Sequence, residues 1–187
     1  MAYLSREALQ AMGFKALGKN VNVSDKASIY NPQSIEIGDQ SRIDDFCVIS
    51  GNVSIGKYVH IAPFCLVAGG ELGVALEDFS GLAYNVQVFS QSDDYTGKYL
   101  TNPTVDGAYK NELRAKVNIG RHVIIGASSI VFPGVDLAEG CSVGALTLVN
   151  KSTKPWGIYV GNPAKRVKER KKDLLDLERQ FLQGTNE

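Results

Sequence analysis

An aliphatic side chain recurs at every sixth position along two long stretches of this sequence. One stretch leads from Ile37 to Val67 and the other from Ile119 to Val149, while a shorter run over 23–35 precedes them in a register shifted by two residues. A period of six matches neither the 3.6-residue turn of an α-helix nor the two-residue alternation of a strand. It predicts a triangular coil with one short strand per side, whose turns stack about 4.8 Å apart through parallel hydrogen bonds.

The residue after each periodic aliphatic is usually small, and a second small or branched residue follows four positions after the aliphatic. Cys47, Cys65 and Cys141 all occupy this second position, so we expect them to fill the core rather than to act in catalysis. Three widely spaced cysteines and two distant histidines have no zinc-ligand spacing. The sequence therefore predicts no metal site.

Length and charge indicate one ordinary globular domain. The 187 residues suit a single core, and a formal net charge of zero argues against binding to nucleic acid through a general positive field. The N-terminus lacks the apolar run of a secretory signal, and no stretch approaches the roughly 18 apolar residues of a membrane span. We therefore expect a cytoplasmic protein without membrane insertion.

Three segments depart from the period. Residues 1–20 should hold a short helix over 5–12, capped by Ser5 and ended by Gly13. The coil should occupy 21–153 and be interrupted by a polar loop over 91–116, whose length and acidic start favour a functional loop over a plain insertion. In the tail over 154–187, Pro163 suits the start of a helix that covers the open end of the coil stack.

The order aliphatic, small, two variable, small, variable resembles that of the hexapeptide-repeat acyltransferases. This resemblance implies a left-handed parallel β-helix, an all-β fold, with acetyl-CoA as co-substrate and a homotrimer with active sites between subunits. The segments AMGFKALGKNVNVSDKASIYNP, RIDDFCVISG, SDDYTGKYLTNPT and PWGIYVGNPAK resemble the dTDP-4-amino-4,6-dideoxy-D-glucose acyltransferases and neighbouring surface-polysaccharide acetyltransferases. This second resemblance implies acetylation of the 4-amino group of a nucleotide-linked deoxy amino sugar for O-antigen, lipopolysaccharide or other surface-polysaccharide synthesis.

Likeness to the galactoside and maltose O-acetyltransferases implies a coenzyme A groove between the coils of two subunits. Small residues of the late hexads would admit the pantetheine arm, and basic residues beyond them would meet the coenzyme phosphates. The same small residues are also demanded by the coil, and the basic run over 165–172 has the alternative of a solvated helix face, although the motif GNPAK favours an anion site for Lys165 and Lys168. The implied coenzyme-binding residues are Gly126, Ala127, Gly144, Ala145, Asn150, Lys151, Pro163, Lys165 and Lys168.

Those O-acetyltransferases carry a catalytic histidine at the start of the loop, where NVQVFSQSDD places Asp93 instead. The segment IGKYVHIAPFCLVAGG resembles nucleotide-sugar N-acetyltransferases, in which the histidine matched by His60 lies near the thioester. Their second histidine has no counterpart at 50–52, so a corner histidine without function stays an alternative for His60. His122, at a variable hexad position, should be exposed or structural.

A carboxylate in place of histidine favours an amine acceptor. An alcohol needs a strong general base, whereas simple amines titrate near about 8 and attack once one proton is lost. The pair Asp93–Asp94 could hold the ammonium and accept its proton; alternatively His60 is the base or hydrogen-bonds the thioester carbonyl. Sugar O-acetylation and a non-catalytic binding module remain open.

Further residues are candidates for substrate contacts. Asp44 and Asp45 could bind substrate hydroxyls, although Asp44 equally suits a role in capping a corner of the coil. Tyr95 could stack on a base or sugar ring, or be a plain surface aromatic.

Overall fold

The computed structural model describes residues 2–184, which form a parallel β-helix flanked by two α-helices. Helix α1 spans Arg6–Ala11 and α2 spans Leu174–Gly184, and single 3-10 turns lie at Pro32–Ser34 and Gly107–Tyr109. In chain order the strands are β1 (Ala16–Leu17), β2 (Asn22–Val23), β3 (Ser28–Tyr30), β4 (Ile35–Ile37), β5 (Arg42–Ile43), β6 (Val48–Ser50), β7 (Val53–Ile55), β8 (His60–Ile61), β9 (Leu66–Ala68), β10 (Val74–Leu76), β11 (Gly81–Leu82), β12 (Gln87–Phe89), β13 (Gln91–Ser92), β14 (Leu113–Arg114), β15 (Val117–Ile119), β16 (Ile124–Ile125), β17 (Ile130–Val131), β18 (Asp136–Leu137), β19 (Ser142–Val143), β20 (Leu148–Val149), β21 (Gly157–Val160) and β22 (Lys165–Glu169).

From β1 to β20 the strands of the coil enter three sheets in turn, with β13 and β14 set apart as a two-stranded sheet, which gives three sheets around one core. The first sheet has the order β1-β4-β7-β10-β15-β18, the second β2-β5-β8-β11-β16-β19-β21-β22 and the third β20-β17-β12-β9-β6-β3. All neighbours pair in parallel except β22, which returns antiparallel to β21. The predicted fold is confirmed, and the coil extends beyond 21–153 at both ends, from β1 to β21.

The periodic aliphatic side chains fill the core, as the sequence predicts. Every member of the two long runs, from Ile37 to Val67 and from Ile119 to Val149, is buried. The three cysteines are also buried and free. A hydrogen bond with Cys47, together with burial, raises the pKa of the Cys65 thiol, so Cys65 stays protonated at neutral pH.

We call the turn from the first to the second sheet the first corner, and the next two the second and third corners. All long insertions occupy the third corner: the 3-10 turn near 32, the glycine-containing turn at 69–73 and the segment 90–116. The strands on either side keep their register, with Leu76 opposite both Ile55 and Ile119. The shifted register of the early run thus reflects a two-residue insertion at this corner.

Aromatic side chains stack along the first corner. Tyr58, Phe79, His122 and Trp156 have positive φ angles there, a conformation that costs a non-glycine residue about 1–2 kcal/mol. Tyr58 stacks on Phe79 at 4.7 Å between ring centroids, and Phe79 stacks on His122 at 5.3 Å. His122 is therefore a buried structural residue and not an exposed one.

The tail corrects two predictions. Pro163 begins no helix: it follows a cis peptide bond in the turn between β21 and β22, and α2 begins only at Leu174. Helix α2 lies along the first corner instead of covering the end of the stack. Its Phe181 packs edge-on against Tyr58, and its Glu178 bonds to Arg121 and to His122. Helix α1 agrees with the prediction, since the Ser5 side chain accepts a hydrogen bond from the Ala8 amide and Gly13 has a φ of 73°.

Candidate active site

The outward side chains of the second sheet form a continuous column, because parallel strands in register place equivalent residues side by side. Each member lies directly opposite the next in the strand pairing, while the alternate residues are buried in the core. We call this set the outer column; it consists of Arg42, His60, Gly81, Ile124, Ser142 and Ile158.

His60 is held in the outer column by a buried carboxylate. Its Nε2 lies 2.8 Å from Asp44 Oδ2 and 2.9 Å from Arg42 Nη2, so a neutral ring either donates to Asp44 or accepts from Arg42. Arg42 Nε also lies 2.9 Å from Asp44 Oδ1. Within residues 2–184 His60 Nδ1 makes no hydrogen bond, and it is the ring nitrogen available to a substrate.

The carboxylates of Asp44 and Asp45 bond to other side chains of the protein. Asp44 is 1% exposed, so the geometry favours its corner role over direct contact with a substrate. Asp45 accepts a hydrogen bond from the Ser24 hydroxyl, and this bond lowers the pKa of the Asp45 carboxyl. Both carboxylates were predictable from the sequence, but the contact by which Asp44 orients His60 was not.

Four of the implied coenzyme residues share the outer face of the second sheet: Gly126, Gly144, Lys165 and Lys168. Strand β22 carries a bulge, so Lys168 lies opposite Ile158 and Lys165 lies opposite Val160. Directly opposed residues point to the same side of a sheet, and Ile158 and Val160 are two residues apart. Both lysines therefore project on the side of the outer column, and neither forms an ion pair within the described part of the chain.

The glycines between those lysines and His60 are required by the coil itself. A Cβ on Gly126 would lie 2.5 Å from the Ala145 nitrogen, and one on Gly144 would lie 2.8 Å from a Val160 methyl. From β8 to β22 the second sheet has five strand spacings, about 24 Å in all. The outer face of the second sheet thus connects a basic end at β22 with His60 over a length comparable to that of an extended coenzyme.

The remaining coenzyme candidates lie at the corners. Ala127 and Ala145 follow Gly126 and Gly144 into the second corner, where Leu146 donates a backbone hydrogen bond to Ala127. The turn with Pro163 stacks on this corner through the Ala164 amide and the Leu148 carbonyl. Asn150 and Lys151 follow β20 at the third corner, so one chain does not bring them to the outer column.

Asp93 lines a cavity of about 400 Å³ at the third corner, beneath the excursion loop. The cavity lies between the edge of the third sheet and the β13–β14 hairpin, with Ala68, Phe89 and Pro103 as apolar walls. Asp93 Oδ2 accepts a hydrogen bond from the Asn102 amide at 3.2 Å. The hairpin therefore presents a carboxylate to a space large enough for a sugar.

The neighbouring Asp94 and Tyr95 have different environments. Asp94 Oδ1 accepts bonds from the Thr96 amide at 2.6 Å and the Thr96 hydroxyl at 2.5 Å, which lower the pKa of Asp94. Asp94 is thus bonded within its own loop, and its pairing with Asp93 in catalysis stays a prediction. Tyr95 is 87% exposed at the loop surface and does not line the cavity.

Glu112 is a cavity residue that the sequence reasoning missed. Its carboxylate accepts bonds from Lys110, Gln91 and Arg114 at 2.5, 2.7 and 2.8 Å. The Lys110 ammonium, followed by the Arg114 guanidinium, lowers the pKa of Glu112. One pattern in the sequence could have indicated Glu112: charges of opposite sign at every second position, Lys110, Glu112 and Arg114. In an extended segment such side chains lie on the same side and can form an ion-pair network.

The described residues offer no arrangement of three or more His, Cys, Asp or Glu side chains suited to a metal ion. Neither helix within 2–184 is long and apolar enough to cross a membrane.

Comparison with known proteins finds strong full-length similarity. The family model "Bacterial transferase hexapeptide (six repeats)" matches residues 34–69. The dTDP-4-amino-4,6-dideoxy-D-glucose acyltransferase of Escherichia coli is 44% identical over 184 residues, covering 97% of this chain and 95% of that protein.

Solved structures of AntD, an N-acyltransferase from Bacillus cereus, are also similar. The complex of AntD with dTDP and 3-hydroxybutyryl-CoA is 46% identical, with a TM-score of 0.97 over 99% of this chain and 98% of AntD. A variant of AntD in complex with dTDP-4-amino-4,6-dideoxyglucose and coenzyme A matches equally well, with a TM-score of 0.97 over 98% of each chain. A maltose O-acetyltransferase from Clostridium difficile, 21% identical with a TM-score of 0.56 over 89% of this chain and 74% of its own, shares the fold alone.

Proposed function

The chain belongs to the hexapeptide-repeat acyltransferases, and from that membership we propose that it acylates the 4-amino group of a nucleotide-linked 4-amino-4,6-dideoxy sugar with an acyl-coenzyme A. The observation that carries the proposal is a sequence identity of 44–46%, over nearly the whole of each chain, to a dTDP-4-amino-4,6-dideoxy-D-glucose acyltransferase and to the N-acyltransferase AntD. Membership excludes the non-catalytic module as an alternative.

The site chemistry supports an amine acceptor. The resemblance to the O-acetyltransferases aligns Asp93 with their catalytic histidine, and a carboxylate attracts an ammonium while being a weak base for a hydroxyl. An amine needs only to lose one proton near neutral pH before it attacks. The acceptor therefore lies with its nitrogen beside Asp93 in the cavity at the third corner.

The reaction balances without a cofactor other than the donor. The ammonium loses one proton to Asp93, which passes it to solvent, and the nitrogen then attacks the thioester carbonyl carbon. A C–N bond forms, the C–S bond breaks, and the second nitrogen proton neutralises the departing coenzyme thiolate. When His60 Nε2 accepts from Arg42, the ring proton is on Nδ1. His60 Nδ1 can then donate a hydrogen bond to the thioester carbonyl oxygen as that oxygen gains charge.

The positions of the two halves support a shared active site. His60 lies on the outer face of the second sheet and Asp93 at the third corner, on different sides of one coil. A homotrimer with sites between subunits would place one subunit's coenzyme groove beside the excursion loop of its neighbour. It would also place the neighbour's Asn150 and Lys151 beside that groove. We assign the enzyme to the cytoplasm and to the synthesis of O-antigen or another surface polysaccharide, with acetyl-CoA as the simplest donor.

The test is coenzyme release with matched acceptors. The purified chain is incubated with acetyl-CoA and either dTDP-4-amino-4,6-dideoxyglucose or dTDP-6-deoxyglucose, which carries a hydroxyl at the same carbon. We expect release of free thiol and an amide product only with the amine. Equal turnover of the hydroxyl sugar would favour sugar O-acetylation, the second candidate, and would overturn the proposal.

A further inference from the structure

A second cavity lies between α2 and the outer face of the second sheet. Its volume is about 480 Å³, and His60 lines it. Its apolar walls come from both elements and comprise Tyr58, Ile124, Leu174, Leu177 and Phe181. Ile124, Phe181 and Leu177 are 48%, 47% and 63% exposed, which is high for apolar side chains that face a cavity.

Gly81 forms the floor of this cavity, and the coil does not require a glycine there. Its φ lies outside the left-handed region, and the nearest atom to an added Cβ would be the His60 carbonyl oxygen at 3.8 Å. At Gly38 and Gly126, by contrast, an added Cβ would lie within 2.6 Å of the next coil's backbone. The outer column thus has an open gap between His60 and Ile124 that no backbone constraint explains.

The charged groups around the cavity already have partners. Glu178 bonds to Arg121 and His122, and Arg170 donates to the backbone carbonyl of His122 at 2.6 Å. The space over Gly81 therefore suits an apolar occupant and not an anion.

Continuity with the coenzyme groove identifies that occupant. His60 lies directly opposite Gly81, and under the proposed function His60 is beside the thioester carbonyl. The acyl chain begins at that carbonyl carbon, so the gap over Gly81 is the nearest apolar space for it.

We propose that the cavity over Gly81 receives the acyl chain of the donor thioester, so that acyl groups longer than acetyl are accepted and Gly81 sets the limit on their length. The inference rests on the proposed function. An acetyl group would leave most of the cavity empty, whereas a four- to six-carbon chain would lie against Ile124, Leu177 and Phe181.

The test compares acetyl-, butyryl- and hexanoyl-CoA with the amino-sugar acceptor. Wild-type protein should use butyryl-CoA with a kcat/KM at least equal to that for acetyl-CoA. In Gly81→Val the two added methyl groups occupy the gap, and we expect the butyryl-to-acetyl ratio to fall by about tenfold or more, since each methylene in an apolar pocket changes discrimination by roughly that factor. Ile124→Phe, which fills the gap from the other side, should lower the ratio in the same direction.

The matched control is Ala75→Val. Ala75 lies in the same turn of the coil, at an outward strand position of the first sheet away from both cavities, and should leave the ratio unchanged. Binding of acetyl-CoA and butyryl-CoA by calorimetry provides a readout without turnover, in which Gly81→Val should weaken only butyryl-CoA.

A wild-type protein that uses or binds only acetyl-CoA, or a Gly81→Val variant that loses all donors equally, would overturn this inference while leaving the proposed function intact. Failure of the proposed function would have a different result, because no thiol would be released with any donor. The calorimetric comparison would still decide whether the cavity binds the acyl chain.

Discussion

At the scale of single residues, hydrogen bonds separate side chains that look alike in the sequence. Asp93 and Asp94 are adjacent, yet Asp94 binds Thr96 of its own loop while Asp93 faces the cavity. The sequence identified the acidic pair, but it could not assign their roles, because the division depends on a loop turn only two residues long.

We expect Asp93→Asn to reduce kcat/KM by about 100-fold, because it removes the charge that holds the ammonium and directs its proton. Asp94→Asn should reduce it by only about threefold, since its amide oxygen can still accept the Thr96 hydrogen bonds. The measurement is thiol release at saturating donor. If His60→Ala abolished turnover while Asp93→Asn kept the full rate, His60 would be the base instead.

Equivalent serines at the first corner make opposite contributions to stability. Ser41 donates to the Gly56 carbonyl at 2.7 Å and accepts from the Val59 amide at 3.0 Å. Ser80 occupies the same position of the first corner, directly before β11. It is buried, and its hydroxyl makes no hydrogen bond among the residues that the structure describes.

Ser80→Ala should therefore raise the free energy of unfolding by about 1 kcal/mol, because an unpartnered buried hydroxyl costs about that much. Ser41→Ala should lower it by about 1–2 kcal/mol, since two backbone groups lose their partner. Urea unfolding of the two variants gives the comparison. Equal destabilisation by both would mean that Ser80 has a partner such as a buried water.

At the scale of elements, the coil and the presence of a C-terminal helix were predictable, whereas the start of that helix and its packing were not. Strands of the coil repeat one local rule, so the spacing of aliphatics locates each of them. Four of the five residues over 165–169 have long charged side chains and follow a proline, which favours a helix locally, yet pairing with β21 makes them a strand. Helix α2 follows the stacked aromatics of the first corner, which no sequence spacing reveals.

The excursion loop should loosen in acid. The pKa values of Asp94 and Glu112 are lowered in the folded loop, by the Thr96 hydroxyl and by the Lys110 ammonium respectively. Groups with a lowered folded pKa stabilise the native state above their unfolded pKa, near about 4, and this stabilisation disappears as pH falls through the folded value.

Hydrogen exchange of 91–116, corrected for the intrinsic rate, should therefore be constant from pH 7 to about 5 and should rise below about pH 4. Peptides from the coil serve as the internal control. A Glu112→Gln variant should show faster exchange already at pH 7, and unchanged exchange in that variant would exclude the Glu112 network as the stabilising contact.

At the scale of the whole molecule, apolar side chains remain exposed along the second corner. Phe46 stacks on Phe64 at 5.1 Å, and both are exposed, as are Tyr84 and Leu146 further along the same corner. A row of this kind at one edge of a prism is suited to contact with another copy of the chain.

Sedimentation should accordingly show a trimer for the wild-type chain, and Phe64→Glu with Leu146→Glu should shift it toward monomer. Because the proposed site needs two subunits, activity should fall with the trimer fraction. Ser54→Glu, an outward change on the first sheet, is the control and should alter neither. A fully active monomeric variant would show that one chain contains the complete site.

The confinement of every long insertion to the third corner divides recognition between two independent parts of the molecule. The stacking of the strands does not depend on the length of this corner, so that edge can gain or lose a dozen residues while the strands of the second sheet keep their register. Exchange of residues 91–116 for the corresponding segment of another relative would thus change which acceptor is modified and leave the choice of donor as it was. A single scaffold of this kind can serve many different glycans by varying one edge.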